Sequence, residues 1–181
     1  ADDAPADDTV EVILNMSGTS YMNPATLYLG MRADAVINIS DDAMIDVRPD
    51  GTMYTPGILF GNQHYGYDVT ATINQSGNSI IQSLGSGMSM GGSNTAIYNM
   101  SGGQLILGGT ITGPGADDMF NFTGGVITLM GDDYTDIVNE AWFSGGIATF
   151  DGADTTIVVP EPATMMLLGL GGLLIRRKRK C

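Results

Sequence analysis

The sequence predicts an all-β protein, a short parallel β-helix (β-solenoid) followed by a C-terminal hydrophobic helix. Three features favour this fold: a turn motif that recurs every 21–25 residues, a short apolar strand after several of its copies, and glycine at the corners. An antiparallel β-sandwich or jelly roll is the alternative, because those folds also have short strands between turns. Turns in such folds do not repeat one consensus, so we favour the solenoid.

The repeat begins with an Asn-x-Ser/Thr-Gly turn, and its hydroxyl residue marks the period. The hydroxyl residues are Ser17, Ser76, Ser101, Thr123 and Ser144, with a weaker copy at Ser40. The last four copies are separated by 25, 22 and 21 residues, but 36 residues separate Ser40 from Ser76. We therefore predict an insertion near residues 48–68. From the repeat period and the length of the repeat domain we predict six or seven coils in all.

Asparagine opens five copies of the turn, at Asn15, Asn38, Asn74, Asn99 and Asn121. In a parallel stack these side chains would lie above one another and form an amide ladder. Each asparagine also begins an Asn-x-Ser/Thr glycosylation sequence. The repeat itself explains the pattern better, so we predict the ladder.

Charge is distributed very unevenly along the 181 residues. The net charge is −13, from 20 acidic and 7 basic side chains, and five of the basic residues lie after Pro160. A body this acidic excludes an electrostatic nucleic-acid binder, which requires a basic surface. One cysteine, Cys181, excludes an intrachain disulfide, and one histidine, His64, excludes a site with several histidine ligands.

Three regions follow from this composition. Residues 1–8 are acidic and predicted to be a flexible N-terminus, which we interpret as the start of a mature exported protein. Residues 9–157 form the glycine-rich repeat domain. Residues 158–181 form a membrane-associated tail.

The tail combines an apolar run with a basic terminus. Residues 162–175 contain no charged side chain, and they are followed by Arg176, Arg177, Lys178, Arg179 and Lys180. A helix of fourteen residues spans about 21 Å, less than the ~30 Å hydrocarbon core of a bilayer. Insertion is feasible because long basic side chains snorkel, and the positive-inside rule keeps them cytoplasmic.

The same tail resembles the PEP-CTERM protein-sorting signal. The resemblance rests on Pro160, Glu161 and Pro162, then the apolar run, then the basic cluster of residues 176–180, and it covers about 23 residues. It implies a Gram-negative-type bacterium, export across the inner membrane and recognition by an exosortase. It also implies association with exopolysaccharide or the cell surface.

Two candidate binding sites lie in the repeat domain. His64, Tyr65 and Tyr67 form a polar loop within the predicted insertion, where the tyrosines offer rings that stack on sugars. Asp132, Asp133 and Asp136 form an acidic turn that is a candidate for Ca²⁺, which prefers six to eight oxygen ligands. Asp41, Asp42 and Asp46 form a similar group. No other cofactor is expected.

Enzymatic activity is not expected. A polysaccharide lyase requires a cationic base, yet the body contains only two arginines and no lysine. A glycosidase requires two carboxylates beside a cleft, and short coils leave little wall for one. We expect an exported structural or adhesive protein of the cell surface or biofilm matrix, able to form homo-oligomers or fibres. The alternatives are a carbohydrate-binding or glycan-cleaving module, and an envelope protein anchored in the inner membrane.

Overall fold

A computed structural model describes residues 11–30, 33–48, 57–61, 68–92, 94–113, 117–133 and 146–159. Within those ranges the chain forms β-strands and turns. The strands are, in order, β1 (Glu11–Met16), β2 (Tyr21–Met22), β3 (Leu27–Leu29), β4 (Asp34–Ile39), β5 (Met44–Asp46), β6 (Ile58–Phe60), β7 (Thr70–Gln75), β8 (Ile80–Ser83), β9 (Met88–Met90), β10 (Thr95–Leu107), β11 (Ile111–Thr112), β12 (Met119–Met130), β13 (Ile147–Phe150) and β14 (Asp154–Val158).

The strands wind into a parallel β-solenoid with three faces. The first face stacks β1, β4, β7 and the first halves of β10 and β12. The second stacks β2, β5, β8 and the second halves of β10 and β12, and the third stacks β3, β6, β9 and β11. The parallel pairing confirms the predicted solenoid, and the sandwich alternative is wrong.

Within the described ranges the solenoid has about four turns, so the prediction of six or seven coils is wrong. The count assumed one period throughout, whereas the second coil takes 36 residues, as the spacing of Asn38 and Asn74 shows. The final repeat also departs from the stack. β14 pairs antiparallel with β12, and β13 pairs antiparallel with β14, so these residues form a terminal hairpin.

The terminal hairpin is produced by a local aspartate turn. Asp151 Oδ1 accepts hydrogen bonds from the amides of Ala153 and Asp154, both at 2.9 Å. This arrangement satisfies the backbone in a tight turn, as aspartate commonly does. The chain reverses there instead of turning through a solenoid corner.

Side chains that point inward form columns of similar residues along the stack. Ile37 and Ile73 are followed by Tyr98 and Phe120, whose rings stack with centroids 5.0 Å apart. The second face contributes a matching buried column of Ile45, Ile81, Leu105 and Ile127. Fully burying one such side chain contributes about 1.5–3 kcal/mol, so each coil is held mainly by the coils above and below it.

The first corner has a left-handed backbone in each of the first three coils. Gly18, Asp41 and Gly77 occupy this corner in the first three coils, with φ of 62°, 57° and 67°. Aspartate tolerates this conformation better than most side chains. In these coils the corner explains why glycine or aspartate follows the Asn-x-Ser/Thr sequence, whereas in the next two coils the left-handed residue is the second glycine, Gly103 or Gly125.

The range predicted as an insertion contains one described strand. β6 lies between β3 and β9 on the third face, in parallel register with both. The extra residues of the second coil therefore lie on both sides of β6. The predicted C-terminal helix falls outside the described residues, and among those that are described we find no helix of the length and hydropathy needed to cross a membrane.

Candidate functional site

The first face carries an uninterrupted ladder of asparagine side chains. Each Nδ2 donates to the Oδ1 of the asparagine one coil earlier, at 2.8 Å in all four steps. The rungs are Asn15, Asn38, Asn74, Asn99 and Asn121. The predicted amide ladder is therefore confirmed, and the side chains alternate with the buried residues of the same strands.

The ladder has a direction. All four amide groups donate towards the N-terminal end of the solenoid, so its two ends differ chemically. Asn15 retains its Nδ2 donor and Asn121 retains its Oδ1 acceptor, and within the described part of the chain neither group makes a side-chain hydrogen bond. Both end residues are exposed, whereas the three middle rungs are half-buried.

A second polar column lies where the second face ends. Asp46, with a relative exposure of 2%, is the centre of this column. Its Oδ1 accepts from Gln82 Nε2 at 2.8 Å, and its Oδ2 accepts from Tyr21 Oη at 3.0 Å and from Asn23 Nδ2 at 3.2 Å. Asn23, Asp46 and Gln82 belong to three successive coils.

Arg48 completes the arrangement by pairing with Asp46. Its Nε donates to Asp46 Oδ2 at 2.7 Å, and its Nη2 contacts the same oxygen at 2.6 Å. The hydrogen bonds from Gln82 and then Arg48 hold the pKa of the Asp46 carboxyl below its usual range. The carboxylate stays ionised at neutral pH, with its oxygens occupied by donors.

A shallow groove of about 310 Å³ opens beside this network. It is lined by Asp46, Val47, Arg48, Gln82, Leu84 and Gly85. The Tyr21 ring, 57% exposed, reaches the same carboxylate through its hydroxyl. Tyr21 does not line the groove, but its ring lies beside the same carboxylate, one coil earlier than Asp46, and shares Asp46 Oδ2 with Arg48.

Sequence reasoning did not find this groove, although the spacing contained a signal. Asn23 and Asp46 are 23 residues apart and Asp46 and Gln82 are 36 apart, the same two steps that separate Asn15, Asn38 and Asn74. The repeat pattern did not identify this column because its three residues differ in type. A ladder of identical residues is visible in one sequence, whereas a mixed column becomes visible only once the register is known.

The acidic group Asp41, Asp42 and Asp46 serves to join coils. Asp41 Oδ2 accepts from the amide of Gly18 at 3.0 Å, and Asp42 Oδ1 accepts from Asn78 Nδ2 at 3.2 Å. With Asp46 bonded to Gln82, all three carboxylates accept hydrogen bonds from other coils. Within the described ranges no group of three or more His, Cys, Asp or Glu side chains is placed to hold a metal ion.

The other predicted site residues are only partly described. Asp132 is exposed, and the amide of Asp133 donates to Thr155 Oγ1 of the terminal hairpin at 3.1 Å. Asp136 falls outside the described residues, and so do His64, Tyr65 and Tyr67. The calcium turn and the sugar-stacking loop therefore stay predictions. The sorting residues Pro160, Glu161 and Pro162 and the basic cluster of residues 176–180 also lie outside the described ranges.

Comparison with known families identifies the tail. Residues 158–180 match the family model of the PEP-CTERM protein-sorting motif. Neither curated proteins nor solved structures returned a match to the chain. The motif implies an exported protein that is membrane-anchored before an exosortase processes it.

Proposed function

We propose that this PEP-CTERM-tailed solenoid is a structural or adhesive protein of the cell surface or extracellular matrix, where it associates with exopolysaccharide. The observation that carries the proposal is the unbroken asparagine ladder over a continuous apolar core. Together they bind each coil to the next along the length of the stack. The body would therefore be a stiff rod, a form that suits an exported component of the matrix.

The charge of the body supports the same role. Nineteen of its acidic residues precede Pro160, against two arginines in that region. Such a surface stays soluble, attracts cations and repels anionic polymers at low ionic strength. Association with an acidic exopolysaccharide would therefore require cations that screen both partners, whereas a neutral polysaccharide would not require them.

The experiment is to follow the protein from the inner membrane to the surface in a cell with an active exosortase. We expect the wild-type protein in the surface or matrix fraction, with mass spectrometry showing a C-terminus that lacks residues 176–181. Replacing Pro160, Glu161 and Pro162 together by alanine should leave an intact terminus in the inner membrane, because the recognition sequence is lost.

The control is Gln104→Glu, a substitution at an exposed position of the body. This variant should be sorted like the wild-type protein. Wild-type protein that stays in the inner membrane with an intact basic terminus would contradict the proposal and favour the anchored envelope protein. Protein that is processed but released from the matrix fraction would contradict the matrix role alone.

The groove beside Asp46 favours a second candidate, a carbohydrate-binding module. An exposed tyrosine ring next to oriented amide and guanidinium groups is the combination that binds a sugar ring and its hydroxyls. Among the described residues the groove is lined by one carboxylate, which is occupied by donors, whereas glycoside hydrolysis generally uses two. The arrangement therefore supports binding rather than cleavage.

A glycan array tests this second candidate. We expect Tyr21→Ala to weaken any glycan signal about tenfold, because the stacking ring and one Asp46 donor are lost. The matched control is Tyr28→Ala, another exposed tyrosine of the first coil, on the third face. Equal losses in both variants would exclude the groove, and a loss confined to Tyr65→Ala or Tyr67→Ala would assign binding to the predicted loop.

A further inference from the structure

We propose that copies of this chain join end to end, with the first half of β12 in one copy pairing in parallel with β1 of the next. This inference rests on the proposed structural role and names its partner, a second copy. Both strands belong to the first face and run in the same direction along it, since every strand between them is parallel to its neighbours. A second copy would thus continue the stack.

Both strands present an edge. In the described part of the chain, β1 pairs with β4 alone. Within the described ranges β14 covers only residues 126–130 of β12, and the half that contains Asn121 pairs with β10 alone. Free backbone donors and acceptors along an edge strand are a template for another strand.

The asparagine ladder sets the register of the junction. One end offers the Asn15 Nδ2 donor and the other offers the Asn121 Oδ1 acceptor, so stacking two copies would add a fifth bond of the same kind. Two N-terminal ends would bring donor to donor, and two C-terminal ends would bring acceptor to acceptor. The polarity of the ladder therefore favours a head-to-tail junction over a symmetric dimer.

The same register aligns apolar side chains. With Asn121 above Asn15, Met119 lies above Ile13, and these two outward-facing side chains are 47% and 54% exposed. On the inward side Phe122, which packs against the core, would lie above Met16. Val12, at an inward position of the first coil, is 57% exposed, so the N-terminal end of the core is open.

A head-to-tail contact leaves one free β1 end and one free β12 end on every assembly, so growth gives linear fibres rather than closed oligomers. The junction also brings the exposed Glu11 opposite the exposed Asp117 of the other copy, and each copy has a net charge of −13. Like charges of this density oppose association unless ions screen them. Assembly should therefore strengthen as salt is raised.

The decisive experiment mixes two variants of the full chain, each blocked at one end, and measures mass by analytical ultracentrifugation. Ile13→Lys places a charge on the β1 edge, and Met119→Lys places one on the β12 edge. Each variant alone should stay monomeric, because neither solution contains both functional ends. Their equimolar mixture should form dimers and nothing larger, since the one usable pair of ends lies on different molecules.

The control is Gln104→Lys, which adds the same charge at an exposed position of β10, a strand paired on both sides, and should assemble like wild type. Assembly of either end variant alone beyond the association that all the variants share, or a mixture without dimers, would overturn the proposal. Non-specific association through the apolar tail is recognised because it would occur equally in all the variants.

A second pair of variants tests the ladder itself. Asn15→Asp keeps the acceptor that Asn38 uses within the molecule but removes the donor towards the next copy. We expect association to weaken about tenfold. Gln104→Glu makes the same change from amide to acid at an exposed position away from both ends. Equal effects of the two substitutions would overturn the ladder contact.

This inference and the proposed function fail separately. Monomeric protein that is still processed and retained in the matrix would overturn the junction and leave the function standing. Protein that assembles in the analytical experiment but is never released from the inner membrane would overturn the function and leave the junction standing.

Discussion

Tyr98 shows how a polar group is accommodated in the core of the solenoid. Its side chain is fully buried, and its hydroxyl donates to Gln75 Oε1 at 2.6 Å. The Gln75 Nε2 group in turn donates to the carbonyls of Ser79 and Gln104. Burial raises the pKa of the Tyr98 hydroxyl, which therefore stays a proton donor. The buried polar groups of Tyr98 and Gln75 are thus paired across two coils, as a dry core requires.

Asp46 predicts how stability depends on pH. Its folded pKa lies below the ordinary value of 3.8, mainly because Gln82 and Arg48 donate to the carboxylate. Its contribution to the free energy of unfolding is therefore fully present above about pH 4 and is lost as the pH falls through the folded pKa. We expect Asp46→Asn to be less stable than wild type near neutral pH, with a difference that shrinks below pH 4.

Thermal unfolding at a series of pH values measures this difference. Asp132→Asn, at an exposed carboxylate, supplies the background effect of removing one surface charge. A gap between wild type and Asp46→Asn that stays constant from pH 7 to pH 2 would show that the ionised carboxylate contributes nothing.

The residues at the first corner help to explain how successive coils align. The first corner needs a left-handed residue, and close stacking restricts what that residue carries. A Cβ on Gly77 would lie 2.7 Å from the backbone nitrogen of Asp41 in the coil below, whereas a Cβ on Gly18 would meet nothing within 4 Å. The two glycines share almost the same φ, so they separate backbone strain from contact between coils.

This contrast gives a prediction for two matched substitutions. Gly18→Ala should cost about 1–2 kcal/mol, the penalty for a left-handed alanine. Gly77→Ala should cost roughly 1–3 kcal/mol more, because the added methyl group must displace the neighbouring coil. Denaturant unfolding of both variants measures the difference. Equal costs would mean that the coils separate at this corner without penalty.

The length of the molecule depends on how its two ends are made. The N-terminal end leaves Val12 and Ile13 exposed, while the C-terminal end covers half of β12 with an antiparallel hairpin. A parallel stack has no internal signal that limits its length, since every coil presents the same edges as the last. Among the described residues the hairpin pairs with β12 on the second face alone, so the proposed junction uses the first face.

Several features could be deduced from residue order because they depend on repetition. Equivalent positions in a parallel stack are neighbours, so a recurring Asn-x-Ser/Thr-Gly turn predicted both the solenoid and the ladder from Asn15 to Asn121. The tail was recognisable for a different reason: its proline-flanked glutamate, apolar run and basic cluster are contiguous. In both cases one stretch of chain, or one repeated stretch, contains the whole signal.

Other features arise only from contacts between unlike residues distant in sequence. Asp46 gains its role from Tyr21, Asn23 and Gln82, which differ in type and come from other coils. The reversal of the chain direction after β13 could not be predicted from the sequence either, because the apolar alternation of Ile147–Phe150 suits a solenoid strand and a hairpin equally well. Strand direction there depends on which neighbour satisfies the backbone, and that becomes known only when the chain is folded in three dimensions.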